Sequence, residues 1–296
     1  MENIRGAILM TIAMAGFALE DMFIKLASEN GMPTGQVLII LGALGTMAYW
    51  AFMLPKGIRL LSPKLIEKGV VIRNIGEFIG TGAYVLAFTS GALAATSSVM
   101  QALPLFVTMG AALFLGQKVG WRRWTAIGVG FFGVLLVIQP GSSNYDPLLI
   151  LAFIGVLGMA MRDVTTRALK GHLHSLQLAA WGFLTIVPLG WAILLYSGES
   201  FVRPTTLQWV YIVAGVLIGT GAYYLLIMAS RLGDMAVIAP FRYTRIVFAL
   251  AVGLIVFDEG DSINGVMLLG VLIVITSGIY TFYRESRSRS ASPSSR

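Results

Sequence analysis

The chain contains no cysteine. That excludes disulfides, thiol nucleophiles and thiolate metal sites. Histidine occurs only as His172 and His174, in one polar loop. A His-x-His pair with no third ligand does not make a metal site, so no metal is expected. No GxxxxGK[ST] pattern occurs, which excludes P-loop nucleotide hydrolysis. Neither histidine lies in an apolar run, so a Ser-His hydrolytic site within the membrane has no base. The nearest match to an intramembrane Gly-x-Gly-Asp motif, Arg231-Leu-Gly-Asp234, lacks the first glycine and falls in a loop. No catalytic residue, enzymatic activity or cofactor is therefore expected. Charge is scarce too: 12% of residues are charged, against about 25% in soluble domains.

What is present is apolar. Of 296 residues, 57% are hydrophobic, and they recur in blocks along the whole length. This reads as an all-α polytopic integral membrane protein. Ten spans are predicted, at 5–26, 36–54, 70–89, 92–116, 121–139, 147–168, 175–196, 207–230, 235–257 and 262–283. Turns such as Asn30-Gly31-Met32-Pro33, Pro55-Lys56-Gly57 and Pro140-Gly141 separate them. Residues 284–296 form a Ser/Arg-rich cytoplasmic tail, expected to be disordered.

The net charge of +7 is explained by topology and implies no nucleic-acid partner. With the N-terminus inside, sixteen of the 21 Lys and Arg residues fall on the inner side, and Arg203 alone falls on the outer side. The positive-inside rule then places both termini in the cytoplasm of an inner-membrane protein.

The chain repeats itself. Gly76-Glu-Phe-Ile-Gly-Thr-Gly-Ala-Tyr84 returns as Gly215-Val-Leu-Ile-Gly-Thr-Gly-Ala-Tyr223, with seven of nine residues identical. Ala18-Leu-Glu-Asp-Met-Phe-Ile-Lys25 likewise matches Ala160-Met-Arg-Asp-Val-Thr-Thr-Arg167, so Asp21 overlays Asp163 and Lys25 overlays Arg167. Gly128 overlays Gly270 at the same offset. Two five-helix repeats follow, 1–140 and 141–283. Five is odd, so the second enters the membrane from the opposite side, an inverted repeat of the kind found in secondary transporters. The shared Gly-xxx-Gly needs no ligand, since small residues four apart let membrane helices pack closely.

The spans also carry charge. Residues 235–257 are long enough to cross a bilayer, yet hold Arg242 and Arg245 on one helix face. Each costs roughly 2.5–3.5 kcal/mol at a span centre. Pro240 breaks or bends that helix. Spacing predicts local pairs Asp21–Lys25, Arg73–Glu77 and Asp163–Arg167. Such pairs serve to neutralise charge, but their opposite ends in the two repeats also suit gates. Arg162, Arg242 and Arg245 then have only Glu20 as an unassigned acid. Either an anionic substrate group meets Arg242 or Arg245 as a bidentate partner, or Glu20 or Glu77 does.

These features resemble the EamA-type branch of the drug/metabolite transporter superfamily. Spans four and nine fit its pattern of small residues, a proline-containing apolar run and a polar exit: Ala94-Ala95, Leu103-Pro104 and Gln117; Met235-Ala236, Ala239-Pro240 and Asp258-Glu259. Gln117 departs from the glutamate often found at that exit. Ala239-Pro240-Phe241-Arg242-Tyr243 and Arg162-Asp163 are similar to carriers of riboflavin, S-adenosylmethionine or other organic metabolites. The resemblance implies a secondary transporter of a small anionic or zwitterionic metabolite, working by alternating access; an amino-acid carrier fits equally. An intramembrane enzyme or a channel is the alternative. The expected substrate contacts are Arg242, Arg245, Tyr243, Arg162, Tyr84 and Tyr223. The expected gate or coupling groups are Glu20, Asp21, Lys25, Glu77, Asp163 and Arg167. The expected partners are a small molecule and the bilayer; a homodimer is open and unsupported.

The charge asymmetry makes a direct prediction. Reporters fused after Lys64, Arg122 and Arg289 should report cytoplasm, and those at Asn30, Asn144 and Ser200 the opposite side. A C-terminus on the outer side would overturn the inverted repeat.

Overall fold

The computed structural model describes residues 2–116, 120–142, 145–169, 173–231 and 238–290. Every regular element among them is helical. The α-helices are α1 (Glu2–Glu29), α2 (Thr34–Met53), α3 (Lys68–Ser90), α4 (Leu93–Met100), α5 (Leu103–Phe114) and α6 (Trp121–Ile138). They continue with α7 (Leu148–Ala168), α8 (Ser175–Ser197), α9 (Thr206–Arg231), α10 (Thr244–Val256) and α11 (Gly265–Ser290).

Seven stretches among the described residues are long and apolar enough to cross a membrane; α4 and α5 together form one of them. The three other predicted spans are shorter. In α6 the apolar part is Trp124–Ile138, because Arg122 opens the helix; in α11 it is Gly265–Thr281. The described part of the ninth span is a 3₁₀ turn, Ala239–Tyr243, leading into α10. Met235 and Ala236 lie outside the described residues, as do Gln117, His172 and residues 291–296.

Proline shapes both interrupted helices. Pro104 stands in the first turn of α5, where its missing N–H costs nothing. Before it the chain tightens: Gln101 and Ala102 donate three residues back, to Ser98 and Val99. The predicted fourth span is therefore built from two helices. Pro240 stands at the start of the 3₁₀ turn, so the break expected there is present.

The helices pack in pairs: α3 on α7, α1 on α9, α2 on α8, α6 on α11 and α4 on α10. All five pairings join a helix of residues 1–140 to one of 141–283. Each Gly-xxx-Gly helix lies against the aspartate-bearing helix of the other repeat. Glycine sets the separation at nearly every crossing. A Cβ on Gly80 would lie 2.6 Å from the Met159 backbone nitrogen, and one on Gly158 would lie 2.5 Å from Gly80 N. Gly35 and Gly190 meet likewise between α2 and α8, and Gly133 and Gly270 between α6 and α11. Lipid tails are as apolar as leucine, so association rests on such close packing. Gly128, matched to Gly270 by sequence, faces open space instead.

This arrangement separates two glycines of one type. Gly80→Leu should lower stability by about 1–3 kcal/mol or more, because backbone must move to admit the side chain. Gly128→Ala should leave stability unchanged or raise it by up to about 1 kcal/mol, through helix propensity alone. Thermal melts of the purified variants compare them. Equal responses would show that backbone contact does not set the α3–α7 crossing.

Candidate functional site

The paired helices enclose a cavity of about 250 Å³. It is lined from α1, α2, α3, α7, α8 and α9, from the broken segments of α4–α5, and from the 3₁₀ turn leading into α10. Eight ionisable side chains face it: Glu20, Asp21, Glu77 and Asp163, with Arg73, Arg162, Arg242 and Arg245. Tyr84, Tyr223 and Tyr243 line it as well. All six expected substrate contacts therefore share one cavity.

Helix packing decides how these charges pair. Arg245 on α10 reaches Asp21 on α1, with Nη2 donating to Oδ2 at 2.5 Å. The Tyr84 hydroxyl on α3 donates to the same oxygen at 2.9 Å and lies 3.2 Å from Ser97 Oγ on α4. The Arg245 guanidinium also lies over the rings of Phe17 and Tyr84, at 5.6 and 5.5 Å. Three helices thus meet at one carboxylate, and a fourth meets the tyrosine that binds it. The predicted Asp21–Lys25 pair does not form. A spacing of four makes two side chains neighbours, but Arg245 brings a fork and Tyr84 a second donor.

A second cluster gathers on Glu77. Arg73 Nη2 donates to Oε2 at 3.0 Å, so the predicted Arg73–Glu77 pair is present. Arg162 Nη1 and Thr81 Oγ1 both donate to Oε1 at 3.0 Å. Arg162 Nε also donates to its neighbour Asp163 at 2.8 Å. Asp163 thus pairs with Arg162; the predicted Asp163–Arg167 pair falls on a side chain outside the described residues. Gly182 on α8 makes room for this cluster, since a Cβ there would stand 3.2 Å from Arg73 Nη2.

Lys25 belongs to a third cluster, away from the cavity. Its ammonium donates to Glu259 Oε1 at 2.6 Å and to the Gly91 carbonyl at 2.7 Å. Glu29 lies 3.8 Å away. Glu259 also accepts the Leu93 and Ala94 N–H groups, both at 2.8 Å, so it satisfies the free donors at the N-terminus of α4. Asp258 adopts a left-handed conformation, φ 51°, that turns the chain there. Glu259 was not among the expected site residues. One signal pointed to it: the pattern of small residues, proline run and polar exit in the ninth span ends on Asp258-Glu259. Ser97 and Thr81 carried no such signal.

The remaining expected residues differ in their surroundings. Arg242 lines the cavity. Tyr243 is buried against Gly278, and its hydroxyl has no hydrogen-bond partner among the described residues. Tyr223 stands edge-on to Tyr49, ring centres 6.1 Å apart. No group of three His, Asp or Glu residues among the described residues has metal-binding geometry.

A multi-pass helical membrane protein with a charged cavity between its helices is the class that this fold and site define. The chain belongs to the EamA-like transporter family, whose sequence model matches residues 4–139 and again 147–283. It is similar to a riboflavin transporter of Rhizobium johnstonii, 25% identical over 209 residues, or 71% of this chain and 68% of that one. A Rickettsia prowazekii S-adenosylmethionine uptake transporter is 21% identical, with 75% and 74% covered. A Pseudomonas aeruginosa pseudopaline exporter is 26% identical over 280 residues, covering 91% and 93%. One solved crystal structure superposes with a TM-score of 0.56 over 92% of this chain and 98% of its own, at 17% identity. That likeness concerns the fold alone.

The Asp21–Arg245 pair should behave as a unit. Asp21→Asn alone leaves a buried guanidinium without its acid and should cost about 3–5 kcal/mol. Arg245→Gln in the Asp21→Asn background should recover much of that. Thermal melts of both single variants and the double variant give the coupling. Additive losses would show that each residue has its own separate partners.

Proposed function

We propose that this chain is a secondary transporter carrying a small zwitterionic or anionic organic metabolite across the inner membrane by alternating access. Ten spans form two inverted five-helix repeats, with both termini in the cytoplasm. The carrying observation is the cavity, in which eight ionisable groups converge on helices from both family-matched segments. Charge inside a membrane-spanning segment is costly and rare, and where it faces a cavity it marks substrate and ion pathways. The crossed pairing supports the inverted repeat: α3 on α7 and α1 on α9 exchange with each other when the two repeats are exchanged.

In this reading Asp21, Tyr84 and Arg245 form one wall of the substrate site, and Glu77, Asp163 and Arg162 another. Tyr223, Tyr243 and Arg242 complete it. Lys25 and Glu259 hold the outer end closed, since they join α1 to the segment after α10 and to the start of α4. Asp21 and Asp163 couple the two mouths to the site, with Arg167 at the inner one. The relatives' names set the range of candidates. Riboflavin carries no ionised group at neutral pH, whereas S-adenosylmethionine carries a carboxylate, an ammonium and a sulfonium. The ion-paired cavity favours the second kind.

Flux into vesicles containing the purified protein tests this reading, with riboflavin, S-adenosylmethionine and amino acids as probes. Uptake of at least one probe should saturate, and preloading the vesicles with the unlabelled compound should accelerate it. Flux that rises linearly with concentration and shows no counterflow would replace the carrier by a channel.

A further inference from the structure

We infer that Glu20 is the subsite for the cationic group of a zwitterionic substrate, an ammonium or sulfonium bound beside a carboxylate. The inference rests on the transporter reading and narrows its substrate class.

Three of the four cavity acids are engaged by protein. Asp21 takes Arg245, Glu77 takes Arg73 and Arg162, and Asp163 takes Arg162. Glu20 makes no hydrogen bond or ion pair with the described residues, although it lines the same cavity. An unpartnered carboxylate in a low-dielectric cavity is costly, so such a group is paired, takes up a proton or meets a ligand cation.

The local packing reserves the place for it. The Glu20 carboxylate lies in the space left by Gly219 on α9; a Cβ on Gly219 would collide with it. The aromatic residues Phe17, Tyr84 and Tyr223 line the cavity with it, and aromatic faces favour a bound cation.

The internal repeat accounts for the missing partner of Glu20 among the described residues. Aligning Ala18–Lys25 with Ala160–Arg167 places Glu20 opposite Arg162. Aligning Gly76–Tyr84 with Gly215–Tyr223 places Glu77 opposite Val216. On one side α7 presents a base, Arg162, and α3 answers it with Glu77 at 3.0 Å. On the other side α1 presents an acid, Glu20, and α9 answers with valine. The two equivalent positions thus hold an acid and a base, and only the base is ion-paired among the described residues. A ligand cation supplies what Val216 does not. Its carboxylate then faces the wall that carries Arg162 and Arg245, where forked donors bind carboxylates.

The test uses the full chain in lipid nanodiscs, with S-adenosylmethionine as the cationic probe and riboflavin as the uncharged one. Wild type should bind S-adenosylmethionine. Glu20→Gln, which keeps size and removes charge, should weaken that binding at least ten-fold without lowering the melting temperature. Glu20→Asp should restore part of the loss. Gly219→Ala keeps the charge but displaces the carboxylate, and should also weaken the cationic probe. Equal binding of S-adenosylmethionine by wild type and Glu20→Gln would overturn the inference. So would a wild type that binds riboflavin but not S-adenosylmethionine; in both cases the transporter reading stands. If no probe shows saturable vesicle flux with counterflow, the transporter reading itself falls, and the inference with it.

Discussion

An ion inside a bilayer must find its counter-ion within the protein, and this requirement shapes the interior described above. The Asp21–Arg245 contact is its clearest expression. It links the first helix to the helix after the second proline break; Tyr84 joins it from a third helix, and Ser97 meets the Tyr84 hydroxyl from a fourth. A contact of this kind works only if the helices stand close enough for a side chain to span the gap. Glycine supplies that closeness at Gly80–Gly158, Gly35–Gly190 and Gly133–Gly270. The glycine crossings and the ion pairs are therefore one system. The first sets the separation at which the second can offset the cost of burying charge.

The helical membrane architecture was legible in the sequence because its signal is local. Apolar runs, turn residues and a repeated glycine motif all lie within short windows, and the break at Pro240 follows from one missing N–H. The charge partners were legible only where they too are local. Arg73 and Glu77 stand one turn apart on α3 and do pair. Asp21 and Lys25 stand one turn apart on α1 and do not, since each is claimed by a residue more than 200 positions away. Spacing on one helix says which side chains are neighbours. It does not say which stronger donor another helix will bring. The same limit applies to Glu259, whose partners are a lysine and two backbone N–H groups at a helix start. No sequence pattern in this chain announces that helix start as a receptor for an acid.

The two exits of the repeats differ in charge. Glu259, at the end of the second, is buried and neutralised by Lys25 and the α4 N-terminus. Gln117 occupies the matching place in the first repeat, and Arg167 matches Lys25. Lys25 and Glu259 form an ion pair at the one exit, whereas the sequence supplies a neutral amide for the equivalent position. A carrier whose two ends were chemically identical would have no built-in preference between its two open states. Replacing a carboxylate by an amide at one end removes a charge-assisted contact there and biases the pair.

Charge balance bears most directly on what the cavity holds. From the ninth span alone, two arginines behind a proline suggest a surplus of positive charge and hence an anion. The assembled cavity sets four acids against four arginines, so the formal charges of its lining balance. Arg73, Arg162 and Arg245 are each bound to an acid, so a ligand carboxylate must compete for them. Glu20 makes no ion pair with the described residues, so a ligand cation can meet it without breaking one. On the proposed reading, a ligand that carries both charges offsets at Glu20 part of what its carboxylate costs at the arginines.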